Sequence, residues 1–171
     1  MRKRISLAML LVLACTAIVL AGPNFSGTWT LNKEKSELPA PPSGGGGGGG
    51  GGRGGAAPRS LVIEQTGDTI KITRTTEGRD GQTRDSVLNY KIDGEVENTA
   101  GQGAAFKVNS KAAGDKVVSM YSRTMETQQG SIKIDVNETL SLSQDGKTLT
   151  IDYVRRTEMG EFKSKQVFDK K

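Results

Sequence analysis

The sequence predicts an all-β protein: an antiparallel up-and-down meander of about eight to nine strands, closed or nearly closed into a barrel. Three observations predict it. After Ser60, apolar residues recur at every second position in short runs. Those runs are separated by Gly67-Asp68, Asp93-Gly94, Gly114-Asp115 and Asp145-Gly146, pairs suited to tight hairpin turns. No convincing helical periodicity exists beyond residue 22. An open meander of that size would expose one apolar face and two unpaired edges, and closure removes both.

Residues 1–22 have the form of a secretory signal. Arg2, Lys3 and Arg4 form a charged start, Ile5 to Ala21 form an uncharged apolar helix-forming run, and Val19-Leu20-Ala21 offers a cleavage site. The expected product is periplasmic or extracellular, with no membrane span once the signal is removed. Two alternatives stay open: the run is retained as an anchor, or Cys15, in Leu13-Ala14-Cys15, carries a lipid. Thr16 to Ala21 remain mostly apolar, which fits an ordinary signal core better than a lipid-attachment box.

Residues 24–31 predict the first strand, with Phe25, Gly27, Trp29 and Leu31 on one face. Residues 32–59 break the pattern. Pro39, Pro41 and Pro42 stiffen the chain, and nine consecutive glycines, Gly44 to Gly52, then remove all conformational preference. Such a segment cannot bury enough surface to offset its entropy, so it is expected to be a disordered loop or linker.

Residues 60–169 complete the meander. Leu61/Ile63, Ile70/Ile72, Leu88/Tyr90/Ile92 and Phe106/Val108 alternate with polar neighbours. Val117 to Met125 follows. Ile132, Ile134, Val136, Leu140 and Leu142 form the longest period-two run, then Leu149/Ile151/Tyr153, and Phe162 to Phe168 closes the chain.

Composition removes several functions. There is no histidine and one cysteine, so no His-based catalysis, no His metal centre and no internal disulfide. The formal charge of +5 includes Arg2, Lys3 and Arg4; without residues 1–22 it is +2. That balance and a single Arg53-Gly54-Gly55 give no case for nucleic-acid binding. No spacing of carboxylates or serines forms a catalytic motif, and no cofactor or metal is expected.

Asn24-Phe25-Ser26-Gly27-Thr28-Trp29-Thr30-Leu31 resembles the Gly-x-Trp strand that opens lipocalins, avidins and related calycin barrels. Tyr90 to Glu95, Glu138 to Thr150 and the closing Val167-Phe168-Asp169-Lys170 are similar to segments of small exported bacterial lipocalin-like proteins, mostly uncharacterised. The resemblance implies a barrel, and more weakly a pocket for a small apolar or amphipathic ligand. It departs from true lipocalins at Ile151-Asp152-Tyr153, where a Thr would precede the Asp.

The candidate ligand-binding residues are Trp29, Leu88, Tyr90, Phe106, Met120, Glu138, Tyr153 and Arg155, all placed by alternation on the inward face. They either line a cavity or simply fill a small barrel. Trp29 is expected to plug one end, with Arg155 or Arg156 stacked on it. Glu138 is the anomaly, a carboxylate on the face of Val136 and Leu140. It must be paired, protonated or displaced by a bulge at Asn137, and Arg155 on the next strand is the expected partner. The resulting expectation is a non-enzymatic binding barrel. The alternatives are an envelope structural or protein-interaction module with a filled interior, or a carboxylate-based enzyme.

Overall fold

The computed structural model describes residues 22–39, 57–78, 80–99, 104–127 and 130–171. The proposed signal, residues 1–21, and the glycine tract, within residues 40–56, lie outside the described residues.

Among the described residues, ten antiparallel strands form one sheet: β1 Gly27–Leu31, β2 Ser60–Thr66, β3 Thr69–Glu77, β4 Thr83–Lys91, β5 Gly94–Thr99, β6 Ala105–Ala113, β7 Lys116–Thr127, β8 Gly130–Leu142, β9 Thr148–Thr157 and β10 Gly160–Lys170. The spatial order is β4-β3-β2-β1-β10-β9-β8-β7-β6-β5, so every strand but the two at the ends is paired on both sides. The all-β class and the meander agree with the sequence. The strand that sequence reading passed over is β5, whose inward residues are Gly94, Val96 and Asn98 and which therefore carries almost no apolar signal.

β4 and β5 share no ladder although one turn joins them. The barrel closes there through a side chain instead. Asn98 Oδ1 accepts the Asn89 backbone N–H at 2.7 Å, and Asn98 Nδ2 donates to the Asn89 carbonyl at 2.9 Å. One amide thus satisfies a backbone donor and acceptor that a ladder would otherwise satisfy. Below this seam, Asp93 adopts φ +53°, and its carboxylate accepts the Ala112 N–H at 2.9 Å, fixing the β4–β5 turn to β6.

The barrel has two unlike ends. One carries the β2–β3, β4–β5, β6–β7 and β8–β9 turns; here Phe25 and Trp29 are fully buried against Ile63, Ile70, Ile72, Leu149 and Phe168. Trp29 Nε1 donates to the Phe25 carbonyl at 3.0 Å, so the indole is buried without losing its hydrogen bond. Gly27 has φ +145°, and a Cβ there would stand 2.8 Å from Lys170 Cε. Lys170 Nζ in turn lies 5.2 Å from the Trp29 ring centre. The cation over Trp29 is therefore Lys170, from the strand paired with β1 at that residue, and neither Arg155 nor Arg156.

The opposite end carries the β3–β4, β5–β6, β7–β8 and β9–β10 connections and receives the long connection from β1 to β2. The start of that connection is ordered, in contrast to the patternless stretch expected from residue 32. Asn32 N–H reaches the Val167 carbonyl at 2.8 Å, and Glu37 and Lys165 exchange backbone bonds at 2.8 and 3.0 Å. Ser36 Oγ accepts the Val167 N–H at 2.9 Å. Residues 32–37 therefore continue along β10 and cover Val167.

Candidate functional site

Inward residues of neighbouring strands stack in layers set by the register. Next to the plugged end, Val117, Leu140 and Ile151 form an apolar layer. The next layer contains Ser119, Glu138, Tyr153 and Ser164. Above it lie Tyr121, Val136, Arg155 and Phe162, and then Arg123 with Ile134. Polar side chains thus enter the interior beyond the plug.

Glu138 is fully buried, and the ladder runs through Asn137 and Glu138 without a bulge. Its partner is Arg74, on β3, the strand opposite β8 across the barrel. Arg74 Nη1 donates to Glu138 Oε1 at 3.0 Å and Nη2 to Oε2 at 2.7 Å, a bidentate fork. Tyr90 OH donates to Oε2 at 2.6 Å while accepting from Arg74 Nη2 at 2.7 Å, and Tyr121 OH donates to Oε1 at 3.1 Å. Four donors fill the four acceptor positions of the carboxylate. The expected Glu138–Arg155 pair is thereby corrected: β8 places Val136, not Glu138, opposite Arg155.

Burial pushes the Glu138 carboxyl up, but the Arg74 charge and the bonds from Arg74, Tyr90 and Tyr121 outweigh it and hold the group below its usual range. Desolvation lowers the Arg74 guanidinium, and Glu138 overcomes this and raises it. Burial pushes the Tyr90 and Tyr121 hydroxyls up, and the nearby Glu138 charge adds to this. The cluster is an ionised pair with two neutral phenols. Its carboxylate has no lone pair left to serve as a base.

The other candidates are distributed around this cluster. Leu88 packs half-buried against the core. Phe106 lies against Tyr121, with ring centres 5.3 Å apart. Tyr153 stands edge-on to Phe162 at 6.4 Å, and burial raises its hydroxyl pKa. The Arg155 guanidinium stacks over Phe162 at 5.1 Å. Trp29 belongs to the plug, at the other end from Arg155. Met120 is a correction: it points outward and is 52% exposed. The Val117-Val118 doublet allows either face of β7, and the structure buries Val117 and Ser119 and half-buries Tyr121 on the same face.

Sequence reading missed Arg74, Tyr121 and Arg123. Arg74 continues the Ile70/Ile72 alternation by one step, so extending that period would have found it. Arg123 follows from the correct phase of β7. Its Nε is buried and has no hydrogen-bond partner among the described residues. The β6–β7 ladder ends at Val108↔Tyr121, and a cavity of about 390 Å³ lies beside Arg123, lined also by Ala104, Ala105, Ser122, Thr124 and Lys133. No group of acidic or thiol side chains able to hold a metal occurs among the described residues.

No family model matches the chain, and no curated protein matches it. Solved structures do. The zebrafish ileal bile acid-binding protein complexed with cholic acid superposes with a TM-score of 0.50 at 15% identity, covering 86% of this chain and 98% of that one. A protein described as the REP1-NXSQ fatty acid transporter gives a TM-score of 0.48 at 14% identity, covering 86% of this chain and 96% of that one. The likeness is one of fold, a closed antiparallel β-barrel.

Proposed function

We propose that the protein is an exported, non-enzymatic barrel that binds a small, partly apolar molecule in the half of its interior away from the Trp29 plug. The observation that carries this reading is the axial asymmetry. One end is packed with Phe25, Trp29 and Phe168, all fully buried. The other half contains Tyr153, Arg155, Phe162 and Arg123, none of them fully buried, above apolar Ile134 and Val136. Pockets for small molecules combine an apolar lining with a few convergent polar groups. A barrel of similar fold that carries cholic acid supports the reading. The saturated Glu138 carboxylate supports binding over catalysis, because a general base needs a free acceptor within reach of substrate. Export rests on the form of residues 1–22.

The test is a thermal-shift and fluorescent-probe screen of the purified protein against apolar and amphipathic small molecules. A true ligand at a hundred times its Kd adds about 2.7 kcal/mol to the native state. A response with saturation is expected. No response across the panel would favour a filled barrel acting as an interaction module. The intact mass of the exported protein, expected to begin at Gly22 or Pro23, tests the signal; a lipid on Cys15 would overturn cleavage there.

A further inference from the structure

We propose that the barrel recognises an anionic group, and that Arg123, reached through the slot where β6 parts from β7, is the residue that selects it. The proposal rests on the binding role above and assigns the polar end of the ligand.

Three guanidiniums, those of Arg74, Arg123 and Arg155, occupy the inward faces of β3, β7 and β9 around one carboxylate, Glu138. Arg74, Tyr90 and Tyr121 together satisfy that carboxylate, so Glu138 has nothing to offer a second cation. Arg155 is stacked on Phe162. Arg123 differs from both: its side chain makes no hydrogen bond, ion pair or ring stacking among the described residues, and the groove lies against it. A guanidinium with a desolvated, unmatched donor favours an acceptor that brings negative charge.

The slot has a structural cause. Continuing the β6–β7 register beyond Val108↔Tyr121 would set Phe106 opposite Arg123 and Ala105 opposite Thr124. The ladder stops instead, and the Phe106 ring leans on Tyr121. Small Ala104 and Ala105 then form one wall and β7 the other. The slot is an open groove of about 390 Å³, and apart from Arg123 its lining side chains are exposed.

The charges facing the slot are mostly committed elsewhere. Lys133 pairs with Asp135 at 3.4 Å, Asp135 also accepts from Ser122, and Glu126 accepts from Ser131 at 2.8 Å. Glu158 is the one carboxylate among the lining residues, and it stands exposed in the β9–β10 turn. An anion carried on an apolar tail would thus meet Arg123 with its head.

The experiment compares dodecanoate with 1-dodecanol, equal in tail and different in charge, by displacement of a fluorescent apolar probe. Wild type is expected to prefer the acid by about tenfold or more, a preference that shrinks in about 0.5 M salt. Arg123→Gln is expected to lower dodecanoate affinity by about tenfold and so erase the preference, while Arg123→Lys keeps part of it. Equal affinities in wild type, or a preference that survives Arg123→Gln, would overturn the assignment and leave the binding role standing. If neither compound binds, the binding role fails. Inorganic sulfate then decides the anion site: a Tm rise lost in Arg123→Gln upholds it, and no rise overturns it.

Discussion

The two halves of the barrel solve the same problem, filling a closed sheet, with opposite chemistry. Around Trp29 the interior is apolar, and the indole N–H bonds within the plug to the Phe25 carbonyl. Around Glu138 the interior is a network tying opposite walls together through Arg74. The first half derives its stability chiefly from burial, which is non-directional and tolerant. The second depends on every member being present, because a half-satisfied buried network is worse than none. What separates them is the consequence of losing one residue.

The largest effects are expected from breaking either half at its centre. Trp29→Ala should cost about 3–5 kcal/mol through the cavity it leaves. Glu138→Leu should cost about as much, roughly 3–5 kcal/mol, for a different reason: it strands the buried Arg74 charge. Adding Arg74→Met should recover most of the Glu138→Leu loss and none of the Trp29→Ala loss. Urea unfolding of the single and double variants reads this directly, and equal additivity in both halves would remove the distinction.

The pH dependence sharpens the same contrast. The folded Glu138 carboxyl is held below its usual range, so the unfolded chain takes up the proton first as pH falls. The pair's contribution is full above the ordinary Glu value near ~4.3 and is lost as pH drops through the folded value. Urea midpoints taken downward from about pH 6 should decline more steeply in wild type than in the Glu138→Leu/Arg74→Met variant. A parallel decline would assign the acid limb to other carboxylates.

Smaller effects are expected at the seam and beside the plug. Asn98→Ala removes the two bonds that replace a β4–β5 ladder, at about 1–3 kcal/mol. Hydrogen exchange should quicken at Asn89 without changing at Trp29. Lys170→Ala, which removes only the cation over the indole, should cost about 1 kcal/mol or less in the same unfolding assay.

How far these features were legible follows from the range of the interactions. Period-two runs and Asp-Gly turns expose strands that carry apolar residues, so nine of the ten strands were visible. β5 was hidden because its contribution to closure is an amide, Asn98, which has no periodic signature. Glu138 stood out because it interrupts an apolar face. Its partner did not, since local reasoning looks one strand away and Arg74 comes from the far wall, a contact that exists only once the barrel closes. Met120 shows the limit of alternation where Val117 and Val118 leave the phase of the strand undecided.

The central claim is that the plug is structural and that ligand engages the charged half. Amide hydrogen exchange on the purified protein, with and without saturating dodecanoate, tests it most directly. The account predicts new protection on β7 and β9 around Arg123 and Arg155, and no change around Phe25 and Trp29. Protection concentrated at the Trp29 end, with Arg123 and Arg155 unaffected, would contradict it.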